Sequence, residues 1–171
     1  MKRLLIVWYS TTGGAAQMAS AAAAGARASA HDETSQQAPV AVHLQPARNT
    51  DADDVLAADG YIFVTPENLA SMAGAMKDFF DRIYYAALEG INGRPYALLV
   101  CAGTDGTGAV RQIQRIATGL RLKEVAPPMI VITGAQTPDA ILAPKTIAQA
   151  DLDRCFETGA AFAAALASGI F

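Results

Sequence analysis

The chain has 171 residues and a formal net charge of −3 at pH 7, and 52% of its residues are hydrophobic against 17% charged. This apolar fraction excludes intrinsic disorder, which requires low hydrophobicity and high net charge. Without an excess of positive charge to neutralise a phosphate backbone, nucleic acid is not an expected partner. The length favours one domain that covers residues 1–171.

The cysteines and histidines argue against a metal site. Cys101 and Cys155 lie in apolar stretches, and neither they nor His31 and His43 show metal-ligand spacing. So few cysteines fit a reducing compartment, and we expect a cytoplasmic protein. The apolar run Leu4–Tyr9 is too short for a signal peptide, and no run is long enough for a membrane span, so no membrane partner is expected.

Apolar runs of the kind found in strands that are covered on both faces alternate with helix-forming segments. The predicted elements, in chain order, are a strand Arg3–Tyr9, a helix Ala15–Ala30, a linker-like polar patch His31–Gln37, a strand Val40–Leu44, a helix Asp51–Ala58 capped by Thr50, a strand Tyr61–Val64 ended by Thr65 and Pro66, a helix Gly74–Leu88, a strand Tyr96–Ala102, a helix Ala109–Leu120, a strand Met129–Thr133, a loop Gly134–Pro144 and a helix Lys145–Ser168. This alternation predicts an α/β fold with a five-stranded parallel sheet of order 2-1-3-4-5 between two helical layers.

In that strand order, the crevice at the carboxyl ends of the first and third strands is the predicted ligand site. Three loops reach it, at Ser10–Gly14, Thr65–Ala73 and Ala102–Gly108. The first loop, Ser10-Thr11-Thr12-Gly13-Gly14-Ala15, joins a strand to a helix start, where unpaired N–H groups and the helix dipole favour an anion. Its hydroxyls and glycines suit a phosphate, although the same residues also suit a simple helix cap.

The loop Tyr9–Gly14 is similar to the Y-S-x-T-G-N-T loop that holds the flavin mononucleotide (FMN) phosphate in flavodoxins. The segment Thr65–Asp81 resembles P-E-Y-N-x-S-x-P-G-x-L-K-N-x-x-D of NAD(P)H-dependent FMN reductases. It also resembles T-P-x-R-x-G-N-M-x-x-x-M-x-x-F-x-D of the quinone reductases related to tryptophan-repressor-binding protein. The chain is therefore identified as a member of the flavodoxin-like FMN superfamily, with FMN as the implied cofactor.

The resemblance implies which residues hold FMN. The phosphate falls to the first loop, and the flavin ring lies beside the backbone of the second and third loops. The implied cofactor-binding residues are Ser10, Thr11, Thr12, Gly13, Gly14, Ala15, Thr65, Pro66, Glu67, Asn68, Leu69, Ala70, Ser71, Met72, Ala102, Gly103, Thr104, Asp105 and Gly106. Asp105 has a helix cap or a turn as its alternative role, and Cys101 is interpreted as a buried strand residue rather than a nucleophile.

The second and third loops contain no Phe, Tyr or Trp, whereas electron-carrier flavodoxins commonly enclose the ring between aromatic side chains. An uncovered ring leaves room for nicotinamide or a quinone, so the sequence favours a reductase that transfers electrons from NAD(P)H to a flavin or quinone acceptor. No catalytic base is predicted, because stacked rings exchange hydride directly. A flavodoxin-type electron carrier remains the alternative, as does a flavodoxin-like protein whose FMN binding is weak or lost, because Gly14 and Ala15 replace the usual Asn and Thr.

A homodimer is also predicted. The helix from Gly74 carries Phe79, Phe80, Ile83, Tyr84 and Tyr85, more large side chains than one buried stripe requires. If Phe80 and Tyr84 or Tyr85 point outward, they form an apolar patch suited to a second copy of the chain. The resemblance agrees, since related reductases are dimers or tetramers.

Overall fold

The computed structural model describes residues 1–30 and 39–171. The predicted polar patch 31–37 and His31 lie outside the described residues. The strands are β1 (Lys2–Trp8), β2 (Val40–Pro46), β3 (Gly60–Asn68), β4 (Ser71–Met72), β5 (Pro95–Ala102), β6 (Lys123–Glu124) and β7 (Met129–Ile132). The helices are α1 (Gly14–Ala30), α2 (Ala52–Ala57), α3 (Gly74–Ala87), α4 (Thr107–Gly119), α5 (Pro138–Leu142) and α6 (Gln149–Ala167), with a 3-10 turn at Ala47–Asn49.

The sheet has the predicted topology. Its strands run β2-β1-β3-β5, all parallel, and β6 and β7 share the position beyond β5. Because β5 and β7 are the fourth and fifth predicted strands, the predicted order 2-1-3-4-5 is confirmed, with β4 and β6 as short additions. This is the flavodoxin-like arrangement, and its central strands end at one edge of the sheet.

The two faces of the sheet carry different cores. On one face α1 and α6 approach backbone to backbone, since a methyl group at Gly25 would lie 1.9 Å from the Phe156 carbonyl oxygen and one at Gly159 would lie 1.9 Å from that of Ala22. On the other face α3 contributes Phe80, whose ring centroid lies 5.1 Å from that of Phe63 on β3. Both cores hold the ends of β1, β3 and β5 in fixed relative positions.

The third strand does not end at Thr65 and Pro66, as was predicted. It continues to Asn68 and turns into β4, with Glu67 paired to Met72. Pro66 pairs with Cys101 on the β5 side, whereas pairing with β1 stops at Val64. The missing N–H of proline is tolerated in a strand where no neighbour requires it as a donor.

Two predictions about helix starts were wrong. Asp51, not Thr50, caps α2, because its carboxylate accepts from the Asp54 N–H while the Asp54 carboxylate accepts from the Asp51 N–H. Thr50 instead donates its hydroxyl to the Pro46 carbonyl. The last helix begins at Gln149 rather than Lys145, and the predicted loop 134–144 contains α5, whose start is capped by Thr137.

The predicted outward patch on α3 is mostly absent. The patch required Phe80 to point outward together with Tyr84 or Tyr85, but Phe80 is 1% exposed, whereas Tyr85 is 85% exposed. The ring of Phe80 packs in the core against the rings of Phe63 and Phe79. Within the described residues, no helix combines the length and the apolar character needed to cross a membrane.

Candidate functional site

A cleft of about 360 Å³ lies at the carboxyl ends of the central strands. This volume falls within the range of roughly 300–1,000 Å³ that is typical of small-molecule sites. The cleft is lined by residues from all three predicted loops and from a fourth segment: Thr11, Thr12, Pro66, Glu67, Asn68, Leu69, Ala70, Cys101, Ala102, Gly103, Thr104, Thr133, Ala135, Ile141, Leu142 and Lys145.

The first loop presents backbone donors at the start of α1. The Gly13 N–H donates to Ser10 Oγ at 3.0 Å, and Gly13 has a φ of +92°, which favours glycine. Gly14 and Ala15 are buried, and their N–H groups have no partner among the described residues. Buried donors without partners are costly, so this helix start fits an anion such as a phosphate.

Gly14 has a packing role that the sequence did not reveal. A methyl group there would lie 2.6 Å from the Cys101 sulfur on β5, so a side chain at this position would require the Cys101 side chain or the start of α1 to move. Ala15 is 1% exposed and belongs to the core under α1. Its side chain therefore packs in that core, and what it offers a ligand is its backbone N–H.

The second loop is a hairpin with a strained tip. Leu69 and Ala70 join β3 to β4 with φ values of 51° and 57°, the pattern of a type I′ turn, which favours Asn-Gly. Leu69 is fully exposed on the rim of the cleft. Asn68 Nδ2 donates to Thr11 Oγ1 at 3.3 Å, which joins the hairpin to the first loop.

Glu67 joins the hairpin to the third loop. Its carboxylate accepts from the Gly106 N–H at 2.9 Å and from the Ala109 N–H at 3.0 Å, at the start of α4. A negative charge at a helix N-terminus is stabilising. Glu67 therefore lines the cleft, but both of its carboxylate oxygens accept hydrogen bonds from the protein's own backbone. Nothing in the sequence around Glu67 indicated that it would bind the start of α4.

The third loop is held by close backbone contacts. A methyl group at Gly103 would lie 2.8 Å from the Ala135 carbonyl oxygen, and Gly106 has a φ of +89°. Asp105 accepts from the N–H and the hydroxyl of Thr107, so it takes the turn role that was its alternative.

A fourth segment, 133–147, closes the cleft and was missed. Thr133 and Gly134 donate backbone N–H groups to Ala102 and Gly103, and Lys145 donates its N–H to Thr12 at 2.8 Å. The Gln17 side chain donates to Lys145 and accepts from the Ile147 N–H. The four segments thus form a closed ring of hydrogen bonds. Because all parallel strands end at one edge, the loop after the fifth strand could have been expected there.

Some predicted residues lie outside the cleft. Ser71 and Met72 line a separate cavity between α3 and α4, where the Gln112 side chain accepts from both. The Thr65 hydroxyl is fully buried and donates to the Pro66 carbonyl while accepting from the Ala73 N–H. Ser10, Gly13, Gly14, Ala15, Asp105 and Gly106 shape the loops beside the cleft. Thr11, Thr12, Pro66, Glu67, Asn68, Leu69, Ala70, Ala102, Gly103 and Thr104 line it.

Cys101 lies at the inner wall of the cleft, 7% exposed. Burial raises the pKa of its thiol, and the Lys145 ammonium partly opposes this. The thiol is therefore protonated near neutral pH and is a weak nucleophile. This agrees with the interpretation of Cys101 as a buried strand residue. The structure shows in addition that Cys101 lines the cleft.

Comparison with known proteins identifies the family. A family model for NADPH-dependent FMN reductases matches residues 10–137. An NAD(P)H-dependent FMN reductase of Schizosaccharomyces pombe is 27% identical over 92 residues, which cover 54% of this chain. The match spans only 44% of that relative's length.

Solved structures share the fold across nearly the whole chain. A flavodoxin from the domain Archaea has a TM-score of 0.72 and 17% identity, covering 96% of this chain and 98% of its own. A WrbA-like flavodoxin from Agrobacterium tumefaciens has a TM-score of 0.66 and 17% identity, with coverages of 97% and 98%. The predicted flavodoxin-like fold is confirmed by these structures, and FMN as the cofactor is confirmed by the family model. The chain belongs to the NADPH-dependent FMN reductase family.

Proposed function

We propose that this protein is an FMN-dependent oxidoreductase that transfers electrons from NAD(P)H to a flavin or quinone acceptor. The observation that carries the proposal is the cleft itself. Among the described residues that line it none is aromatic, and Thr11 and Thr12 on its wall adjoin a helix start whose Gly14 and Ala15 N–H groups have no partner in the described part of the chain. Bound FMN supplies the hydride and electron chemistry, and the protein supplies binding, orientation and the surrounding electrostatics.

The first loop would hold the phosphate. The N–H groups of Gly14 and Ala15 are buried donors, and Thr11 and Thr12 add hydroxyls to the cleft. The Ser10 hydroxyl orders the loop by accepting from the Gly13 N–H, and its O–H stays available to donate to the phosphate. Together these groups give an anion several donors in a site partly closed to water.

The second and third loops would line the ring. Pro66, Ala70, Ala102 and Gly103 bring backbone and small side chains to the cleft, so a planar group can approach closely. Among the described residues that line the cleft, none is aromatic. A ring bound there would keep a face open to a second planar molecule, and donor and acceptor would use that face in turn.

The main alternative is a flavodoxin-type electron carrier, which the archaeal flavodoxin's fold similarity keeps in view. Anaerobic stopped-flow measurement separates the two. FMN-loaded protein is mixed with NADH or with NADPH, and bleaching of the bound flavin is expected within seconds for one donor or both. If neither bleaches the flavin in minutes while dithionite does, the reductase proposal fails and the carrier takes its place.

A binding variant tests the phosphate position. Ser10→Ala with Thr12→Val removes one hydroxyl that orders the loop and one that faces the cleft, and FMN affinity should fall by at least about tenfold. Fluorescence titration gives the affinity, and circular dichroism checks that the fold is intact. Serine-to-alanine substitution at Ser20, an exposed residue of α1, is the matched control. Unchanged affinity would move the phosphate elsewhere.

We further propose one domain over residues 1–171, a homodimer and a cytoplasmic location. The free thiols of Cys101 and Cys155 support a reducing compartment. With Phe80 buried, the exposed Tyr85 is what remains of the predicted dimer patch. A dimer mass is expected by light scattering at micromolar concentration, and a monomer mass would exclude the homodimer.

A further inference from the structure

Helix α5 is an unusual wall for the cleft, because none of its residues is buried. Ile141 is 51% exposed and Leu142 is 74% exposed, yet both line the cleft. The helix begins at Pro138, just beyond the span 10–137 that the family model matches. Since α5 buries no residue of its own, apolar burial within the protein does not explain its position.

Polar contacts hold α5 at both ends. At its start, Thr137 Oγ1 accepts from the Ala140 N–H at 3.3 Å. At its end, Lys145 Nζ donates to the carbonyls of Ala140, Ile141 and Ala143 at 2.7, 2.9 and 2.5 Å. A cation at a helix C-terminus satisfies unpaired carbonyls and complements the helix dipole.

Lys145 is itself fixed to the first loop. Its N–H donates to the Thr12 carbonyl, and its own carbonyl accepts from Gln17 Nε2 at 2.7 Å. The three ammonium hydrogens correspond to the three carbonyl acceptors, so none is left over for a ligand. Fixing a long side chain with many rotamers costs conformational entropy, so we expect a compensating gain in free energy from holding α5 at the cleft.

We propose that α5 is a cofactor-contacting wall of the cleft, in which Ile141 and Leu142 pack against bound FMN, and that Lys145 is the positioning residue that holds this wall. Binding is stabilised when a ligand covers two exposed aliphatic side chains, because apolar surface is removed from water. FMN is the occupant because both side chains line the same cleft as Thr11 and Thr12 of the first loop, which leads into the helix start proposed to bind the phosphate. The inference rests on the proposed placement of FMN in this cleft.

The test titrates cofactor-free protein with FMN and, separately, with riboflavin, which lacks the phosphate. Ile141→Ala with Leu142→Ala should weaken both ligands by about tenfold, the loss expected when roughly 50 Å² of apolar surface is no longer buried. Lys145→Met should weaken both by about three- to tenfold, because binding must then order α5. Lys145→Arg, which can still donate to the carbonyls, should restore most of the affinity.

The controls separate this role from general damage. Ile170→Ala removes an aliphatic side chain that is 71% exposed and is not among the cleft's lining residues. Lys77→Met removes an exposed lysine that pairs with Asp81 on α3. Both should leave the two affinities unchanged. The visible absorption band of bound FMN should shift in the α5 variants and not in the controls, because apolar contact with the ring is lost.

Each other result has a distinct meaning. If Lys145→Met weakens FMN and not riboflavin, Lys145 acts on the phosphate and the proposal is overturned. If the α5 variants bind both ligands like the wild type, α5 is not a cofactor wall. If the wild-type protein binds neither ligand, the proposed function fails, and this outcome is distinguishable because it does not depend on α5.

Discussion

The first loop and the hairpin of the second loop border the same cleft, but they meet their backbone requirements differently. The first loop places glycine at both demanding positions: Gly13 has a φ of +92°, and Gly14 has no room for a methyl group. The hairpin places Leu69 and Ala70 at φ values of 51° and 57°. For residues other than glycine, this region costs roughly 1–2 kcal/mol each.

The difference shows where the protein accepts backbone strain. The hairpin is held on several sides, by Glu67 to α4, by Asn68 to the first loop and by Ser71 to Gln112. Strained backbone persists when its surroundings determine it so fully. In the first loop the N–H groups of Gly14 and Ala15 have no partner among the described residues, so they do not compensate strain. Its glycines avoid that strain.

The largest expected effect comes from filling the space at Gly14. Gly14→Ala puts a methyl group 2.6 Å from the Cys101 sulfur, and overpacking of this kind costs about 1–3 kcal/mol. At this chain length each kcal/mol lowers the melting temperature by about 2–4 °C. FMN affinity should also fall, because the displaced backbone carries the phosphate donors.

A double-mutant cycle shows whether contact with the Cys101 sulfur causes the destabilisation by Gly14→Ala. Cys101→Ala alone removes the sulfur, and Gly14→Ala in that background should cost at least about 1 kcal/mol less than in the wild type. Denaturant unfolding measures all four variants. Additive costs in the cycle would mean that the first loop needs Gly14 for a reason other than this contact. Lack of space would then no longer explain why the first loop has glycine where the hairpin has Leu69 and Ala70.

The hairpin predicts a change of opposite sign. Leu69→Asn with Ala70→Gly supplies the residues that a type I′ turn favours, so the free energy of unfolding should rise by about 1–2 kcal/mol. The melting temperature in a thermal scan is the measurement. Ala86→Gly, an exposed position inside α3, is the control, and it should destabilise the protein by about 1 kcal/mol. A loss of stability in the hairpin variant would show that Leu69 is held by contacts rather than tolerated in strain.

The sequence predicted the sheet order and three of the four cleft walls, because apolar runs and their alternation with helices report on topology. From the lack of aromatic residues in two loops it also predicted a bound ring with one face open to a second molecule, which stays a prediction. It did not predict the continuation of β3 through Pro66, because that depends on which side of the strand lacks a neighbour.

The fourth wall was missed for a related reason. Thr137-Pro138-Asp139 is a helix-start pattern, but α5 is short and buries nothing, so no apolar periodicity drew attention to it. The roles of Lys145 and Gln17 depend on contacts with partners far along the chain, such as Gln17 with Lys145 and Ile147. Such pairs cannot be inferred from one sequence without an alignment.

The smallest expected effect is on the reactivity of the Cys101 thiol, which reports on the cleft wall beside the first loop. Cys101 lines the cleft beside Gly14, whereas Cys155 is fully buried. Burial raises the pKa of Cys101, with Lys145 opposing, and burial raises the pKa of Cys155 to about 11. A raised pKa leaves less of the reactive thiolate at neutral pH, so labelling of Cys101 by iodoacetamide should be slow at pH 7 and should accelerate as the pH rises.

Saturating FMN should slow this labelling at every pH, and mass spectrometry of the native protein should find Cys155 unlabelled throughout. Denatured protein, in which both thiols react, is the control. Equal labelling rates with and without FMN would show that the cofactor does not cover the wall beside the first loop.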